Sequence, residues 1–319
     1  MQLSDAKPSN VAHKLTSGIA RVAGAIPLND PVSRRISPVM IVGCGRSGNT
    51  LLRSMLVAGG EIAIPPESYV WPSLARRFAR WRFAKWQFVA RQVVRSFKGS
   101  DFGFTNEILG GIEAEAIRLP NPSLAAALNL VYVTYCNLNG LAGRRWGDKT
   151  PLNILDIRVI EDIFPAAQYV HIVRDPRAVA LSIVEAARTS SRIREKTLSA
   201  AAERWNKSVR NARALEKRIG SGRFHEVKYE ALVQNPEAEL SRLCRFLGLQ
   251  FKPEMLSFYH TADRLGDVPI LSHHAQVLKP LDPARAHSWR HKINASDRTT
   301  VEKMTARYRR EFGYWEYTE

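Results

Sequence analysis

Residues 39–56 read VMIVGCGRSGNTLLRSML, and this stretch decides the fold. Val39 to Val42 form a β-branched, apolar run bounded by Gly43 and Gly45, as expected of a strand buried in a parallel sheet. Gly43, Gly45 and Gly48 permit positive φ and close backbone approach. Successive N–H groups can then face one concavity at a helix N-terminus, where an anion is favoured. Arg46 adds a fixed charge, and Ser47, Asn49 and Thr50 add polar side chains. Beyond the turn, Leu51, Leu52, Met55 and Leu56 recur at helical spacing and should face the sheet. The stretch predicts a strand, a phosphate loop and a helix.

The spacing of Gly43, Gly48, Asn49 and Thr50 nearly reproduces the nucleoside-triphosphate loop GxxxxGK[ST], with asparagine where lysine should stand. That lysine serves the β- and γ-phosphates, so its absence argues against a terminal triphosphate. A P-loop nucleotide kinase or NTPase is retained as an alternative, as is a glycine-serine turn that binds nothing.

A second segment, QYVHIVRDPRAVALSIV from Gln168 to Val184, repeats the order of strand, turn and helix. Pro176 suits a first helical turn. Arg174 falls at the carboxyl end of a strand, where open α/β sheets bind ligands, and Ser182 lies about two helical turns on. An arginine and a serine so placed can hold a second phosphate. The alternative is a surface pair of Arg174 with Asp175 beside an ordinary helix serine.

Lys and Arg outnumber Asp and Glu by 47 to 30 in 319 residues, a formal charge of +17. Such a field attracts a nucleotide, an acidic glycan, nucleic acid or an anionic lipid surface. From Trp71 to Lys98 no acidic residue occurs. At helical spacing Arg76, Arg77, Arg80, Arg91, Arg95 and Lys98 fall within about a 100° arc, with Leu74, Phe78, Trp81, Phe88, Val89 and Val93 mostly opposite. This basic amphipathic segment suits an anionic membrane surface or an acidic acceptor. It suits equally a helix that buries its aromatic face and leaves its arginines in water. No nucleic-acid motif accompanies the charge, so a basic nucleic-acid-binding protein is the alternative of a different class.

The first 36 residues read as an arm with a short helix around Val11 to Ala23, and charges interrupt any signal-peptide core. Leu119 to Gly143 lacks charge, but its asparagines favour a buried helix over a membrane span. Cys44, Cys136 and Cys244 show neither metal spacing nor a disulfide framework, and a cytoplasmic setting is expected. Helices are also expected at Ala200 to Ile219, after an Asn235 cap with Pro236, and at Ser296 to Phe312 capped by Ser296 or Asp297. Phe224 to Tyr229 should be a strand that carries Tyr229 to its carboxyl end.

RSGNTLL and VRDPRAVALS together resemble the sulfotransferase family that uses 3′-phosphoadenosine 5′-phosphosulfate (PAPS), nearest to its protein-tyrosine, bacterial and carbohydrate members. The resemblance covers about residues 38 to 318. It implies a P-loop-like three-layer α/β fold, a central parallel sheet flanked by helices, in one domain from residue 37 to 319 with the basic insertion at 71–98. It makes Arg46, Ser47, Gly48, Asn49, Thr50 and Leu51 the 5′-phosphosulfate loop, and Arg174 with Ser182 the 3′-phosphate site. It also assigns Glu67 in IPPESY as general base, Lys149 in WGDKTP to the bridging oxygen, and Tyr229 in HEVKYEAL to the nucleotide. PAPS is then co-substrate, no metal is implied, and the acceptor is a hydroxyl of a small molecule, lipid or glycan.

One part of the pattern departs. QVLKP at 276–280 is intact, but His273 takes the place of a serine and Ser288 that of a lysine in the segment expected to close over the donor. Ser272, Lys279, Arg290 and Lys292 are the candidates to replace them. His171, His273 and His274 are alternative bases to Glu67. Sulfuryl transfer needs an in-line approach, with the protein supplying position and charge stabilisation. Preorganised donors of the kind expected from Arg46 and Lys149 are worth about 3–4 kcal/mol each.

Overall fold

β1 (Val39–Val42), β2 (Ile62–Ala63), β3 (Arg145–Asp148), β4 (Gln168–Val173) and β5 (Phe224–Lys228) form one sheet in the computed structural model, which describes residues 24–188, 193–265 and 277–314. The strand order is β2-β3-β1-β4-β5, and every pairing is parallel. Register runs from Val39 opposite Gln168 to Val42 opposite His171, and from Tyr169 opposite Phe224 to Val173 opposite Lys228.

All four residues of β1 are buried because both faces of the sheet are covered. Val39 and Ile41 point to one face, where they pack with Leu52, Met55 and Leu56 of α1 (Asn49–Ala58) and Leu240 and Leu243 of α10 (Pro236–Leu247). Met40 and Val42 point to the other. There they join a larger core built on α2 (Trp71–Trp81), α3 (Trp86–Arg95), α4 (Asn106–Ile117), α5 (Leu124–Leu138) and α6 (Ile157–Ile163). A third cluster seats α7 (Pro176–Ala187), α8 (Leu198–Ile219) and α11 (Ala295–Glu311) against Val173. The short α9 (Tyr229–Gln234) follows β5 directly. The result is the three-layer α/β architecture with a central parallel sheet that the sequence predicts.

Several boundaries differ from expectation. The basic segment is two helices, a break that its amphipathic pattern left open. Ile26 N–H donates to the Arg82 carbonyl at 2.7 Å, and the chain turns through Arg82–Lys85 before α3 begins. β5 ends at Lys228, so Tyr229 opens a helix instead of closing a strand. Asn294, not Ser296 or Asp297, caps α11, its side chain accepting from Asp297 N–H at 2.8 Å. Asn235 stands at the N-cap of α10 without a side-chain capping bond, and Pro236 opens that helix. The charge-poor stretch is the mostly buried α5, capped by Ser123. Residues 24–36 lie on the body of the protein: Asp30 is buried and accepts from Ser33 and Ser123. The helix expected at Val11 to Ala23 lies outside the described residues.

Candidate active site

Four of the five parallel strands deliver a polar residue from their carboxyl ends to the lining of a single cleft of about 1300 Å³. Arg46 follows β1, Glu67 follows β2, Arg174 follows β4 and Tyr229 follows β5, while Lys149, after β3, lies buried behind that lining against Glu67. This is the edge of an open α/β sheet at which ligands bind.

The loop after β1 is held from below and from the side. Gly43 has φ 154°, and a Cβ there would stand 2.4 Å from the Ile172 carbonyl oxygen. Gly48 has φ 100°, and a Cβ there would stand 2.6 Å from Tyr229 Cδ2. Between them Arg46 occupies the left-handed region at φ 72°, strained for a side chain with a Cβ. Asn49, at the position of the missing lysine, donates from Nδ2 to the Cys44 carbonyl at 2.9 Å and so braces the loop from within. Among the described residues, the buried oxygens Ser47 Oγ and Asn49 Oδ1 have no hydrogen-bond partner. Gly48, Asn49, Thr50 and Leu51 line the cleft, whereas Ser47 lies beneath the loop, fully buried.

Arg46 Nε donates to Ser182 Oγ at 3.0 Å, joining the loop to α7. Arg174 donates to the carbonyls of Arg46 at 3.4 Å and Arg285 at 3.3 Å, and its Cζ lies 4.2 Å over the Tyr229 ring. Burial, and then repulsion from Arg174, lowers the Arg46 pKa below the ordinary guanidinium value. Arginine remains protonated at neutral pH all the same. Among the described residues neither arginine has a carboxylate partner in an ion pair. Two half-buried cations side by side, neither balanced by such a carboxylate, favour an anion. Lys279, Arg285 and Lys292 also line the cleft, while Arg290 does not.

On the other side, Lys149 is fully buried. Its Nζ lies 2.5 Å from Glu67 Oε1 and 3.3 Å from Thr50 Oγ1. Tyr69, at φ 55°, donates its hydroxyl to Glu67 Oε2. The arrangement sets a carboxylate and two arginines on one open volume, with a buried lysine behind the carboxylate. The glycine turn at the N-terminus of α1, with Arg46 and Arg174 beside it, fits a phosphate-bearing ligand. The sulfotransferase family model matches residues 38–253.

The chain belongs to the sulfotransferase family.

Relatives of this sulfotransferase include the protein-tyrosine sulfotransferase of Drosophila melanogaster, 23% identical over 88% of this chain and 53% of that protein. The chain thus spans about half the length of that relative. A putative protein-tyrosine sulfotransferase of Caenorhabditis briggsae is 26% identical over 68% of each chain. Among solved structures, the sulfotransferase domain of the Synechococcus PCC 7002 olefin synthase superposes with a TM-score of 0.61 at 25% identity, covering 85% of this chain and 94% of that one.

Other expectations resolve differently. Asp175 is not a surface partner of Arg174. It is buried and paired with Arg177 at 2.7 Å, while Arg177 also meets Glu302 at 2.6 Å and lies 4.1 Å over Trp289. His171 is buried in the sheet with Nδ1 3.0 Å from Glu226 Oε2 and does not line the cleft. Ser272, His273 and His274 lie outside the described residues.

The sequence reading missed the support beneath Lys149. Asp148 accepts from Tyr132 at 2.6 Å and Asn153 at 2.7 Å, and Tyr132 accepts from Trp71 Nε1 at 2.8 Å. Burial pushes the Asp148 carboxyl above its usual range. Thr150 Oγ1 lies 3.4 Å from Asp148 Oδ2 and accepts from Ser68 N–H at 3.2 Å, so the β3 end and the Glu67 loop are tied together. The acidic residue next to Lys149 in WGDKTP was the available signal.

Proposed function

We propose that the chain moves a sulfuryl group from PAPS to a hydroxyl of an acceptor, with Glu67 as general base. The observation that carries this is the Lys149 ammonium, held between Thr50 at the phosphate loop and Glu67 at the open side of the cleft. One cation therefore bears on both the leaving and the attacking side of a transfer centred there.

The roles follow from placement. The loop N–H groups, Arg46 and the positive end of α1 favour the 5′-phosphate, and Arg174 with Ser182 favours a second phosphate. Gly48 lets the Tyr229 ring pack directly on the loop backbone, where a side chain would strike it. Glu67 would take the acceptor proton, with Tyr69 orienting its second oxygen. Lys149 would stabilise charge developing on the departing oxygen. In-line geometry and fixed donors supply most of the acceleration expected of such a site.

The family implies a hydroxyl-bearing acceptor, tyrosine included. A small molecule, lipid or glycan hydroxyl is the reading we adopt, because the rim of the cleft rather than its phosphate loop sets that choice. Calorimetric titration with adenosine 3′,5′-bisphosphate tests the donor assignment: tight one-to-one binding is expected, and absence of heat with intact folded protein would overturn it.

A further inference from the structure

The turn between α2 and α3 presents large apolar side chains to water. Phe83 is 63% exposed and Phe88 45%, and the ring of the half-buried Trp81 stands edge-on to Phe88 at 6.1 Å. Burial elsewhere does not require this exposure, since α2 already buries Trp71, Leu74, Ala75 and Phe78, and α3 buries Val89, Ala90, Val93 and Val94. The turn is also fixed. Arg82 is buried, its carbonyl accepts from Ile26 N–H, and Ala84 N–H donates to the Trp81 carbonyl at 2.8 Å.

Cations surround these rings. Arg77 Cζ lies 5.4 Å over Trp81, and Arg80, Lys85 and Arg91 are exposed. The carboxylates that reach this helix pair engage other arginines: Asp156 meets Arg76 and Glu113 meets Arg95. Among the described residues Arg80, Lys85 and Arg91 have no carboxylate in an ion pair. Aromatic rings flanked by uncompensated basic residues match the boundary between lipid headgroups and acyl chains.

We propose that the α2–α3 turn docks on an anionic lipid bilayer, inserting Phe83 and Phe88 while Arg80, Lys85 and Arg91 meet lipid phosphates. The occupant is lipid rather than an acidic protein because a rigid apolar tip inside a basic ring has use for both acyl chains and headgroup charge. The same α2 lines the cleft at Pro72, Ser73 and Arg76, with Arg76 about 8 Å and the other two about 12–14 Å along its axis from Trp81. Docking therefore brings the rim of the cleft close to the bilayer. It does not require sulfuryl transfer and can be measured apart from it.

Co-sedimentation of the full chain with phosphatidylglycerol–phosphatidylcholine vesicles, against pure phosphatidylcholine, tests the proposal. Each basic residue near an anionic surface is worth roughly a fivefold gain in partition, so Arg80→Ser, Lys85→Ser and Arg91→Ser together should lower binding on the order of a hundredfold. Phe83→Ser should lower it roughly tenfold without changing net charge. A control removing three exposed cations of α11, Lys303→Ser, Arg307→Ser and Arg310→Ser, should lower it far less. Binding of adenosine 3′,5′-bisphosphate should stay the same in all variants, which separates docking from the donor site and from misfolding. Equal binding to neutral and anionic vesicles, an equal loss in the control, or no loss in Phe83→Ser would each overturn the proposal.

Discussion

Lys149 Nζ, fully buried, lies 2.5 Å from Glu67 Oε1, so the strand β3 and the loop after β2 are joined at the wall of the cleft by one ion pair. Removing either partner leaves the other uncompensated in a desolvated place. Lys149→Met keeps an unbranched side chain and removes both the charge and the N–H donors to Glu67 and Thr50. It should reduce kcat about 10²–10³-fold, with a smaller effect on affinity for adenosine 3′,5′-bisphosphate. Parallel kinetics and calorimetry on the same preparation check the split.

Glu67→Gln should keep the bisphosphate affinity and lose turnover, because the amide accepts no proton. Unchanged turnover would remove Glu67 as the base and return that role to another group of the rim.

Arg174→Ala should weaken bisphosphate binding more than Glu67→Ala does. A charge-assisted contact is worth about 1.5–3 kcal/mol, or roughly ten- to a hundredfold in Kd. Titration calorimetry of the two variants decides the order, and a reversed order would move the second phosphate away from Arg174.

The two close approaches of the loop predict different failures. Gly43→Ala places a methyl against the Ile172 carbonyl oxygen, a backbone atom in the sheet that cannot turn aside. Gly48→Ala meets the edge of a tyrosine ring. Both also force a side chain into positive φ, costing about 1–3 kcal/mol. Thermal melts should therefore show Gly43→Ala as the less stable protein. Gly48→Ala should instead lose ligand affinity first.

Arg177→Met should be severely destabilising, about 3–5 kcal/mol, since it strands the buried Asp175 without its cation and leaves Glu302 with Arg298 alone. Urea unfolding of the variant against the parent reads this directly.

Glu226 gives a pH signature. Burial acts to raise its carboxyl, but contacts with His171 and Arg213 outweigh this and hold its pKa below the usual value. A carboxylate depressed in the folded state contributes stability above its unfolded pKa, about 4.3, and loses it as pH falls through the folded value. The stability gap between parent and Glu226→Gln should thus be widest near neutrality and close in acid. A gap independent of pH would assign the loss to packing alone.

Much of this arrangement was legible in the sequence because it is local. A four-residue apolar run, a glycine turn and the Leu52, Met55 and Leu56 spacing describe β1, the loop and α1 without reference to anything distant. Arg174 was legible for the same reason, standing between a strand and Pro176. What escaped are pairings across the chain. Asp175 looked like a neighbour of Arg174, but Arg177 lies one helical position inside and takes both of its oxygens. Asp148 draws its partners from α5 and the turn after β3, and α2 joins through Tyr132, which no spacing rule brings together. The end of α2 depends on a bond from Ile26, fifty-six positions earlier.

Tyr229 touches both halves of the proposed donor site: its edge faces Gly48 and its face carries Arg174. With β1 and β4 paired along their length, the interval between the two proposed anion-binding points is braced by backbone and by the ring that carries Arg174. The site then behaves as a ruler. It would choose among nucleotides by the distance between their phosphates, so that an equally charged molecule with its phosphates in a single row, such as a triphosphate, would engage one end and miss the other.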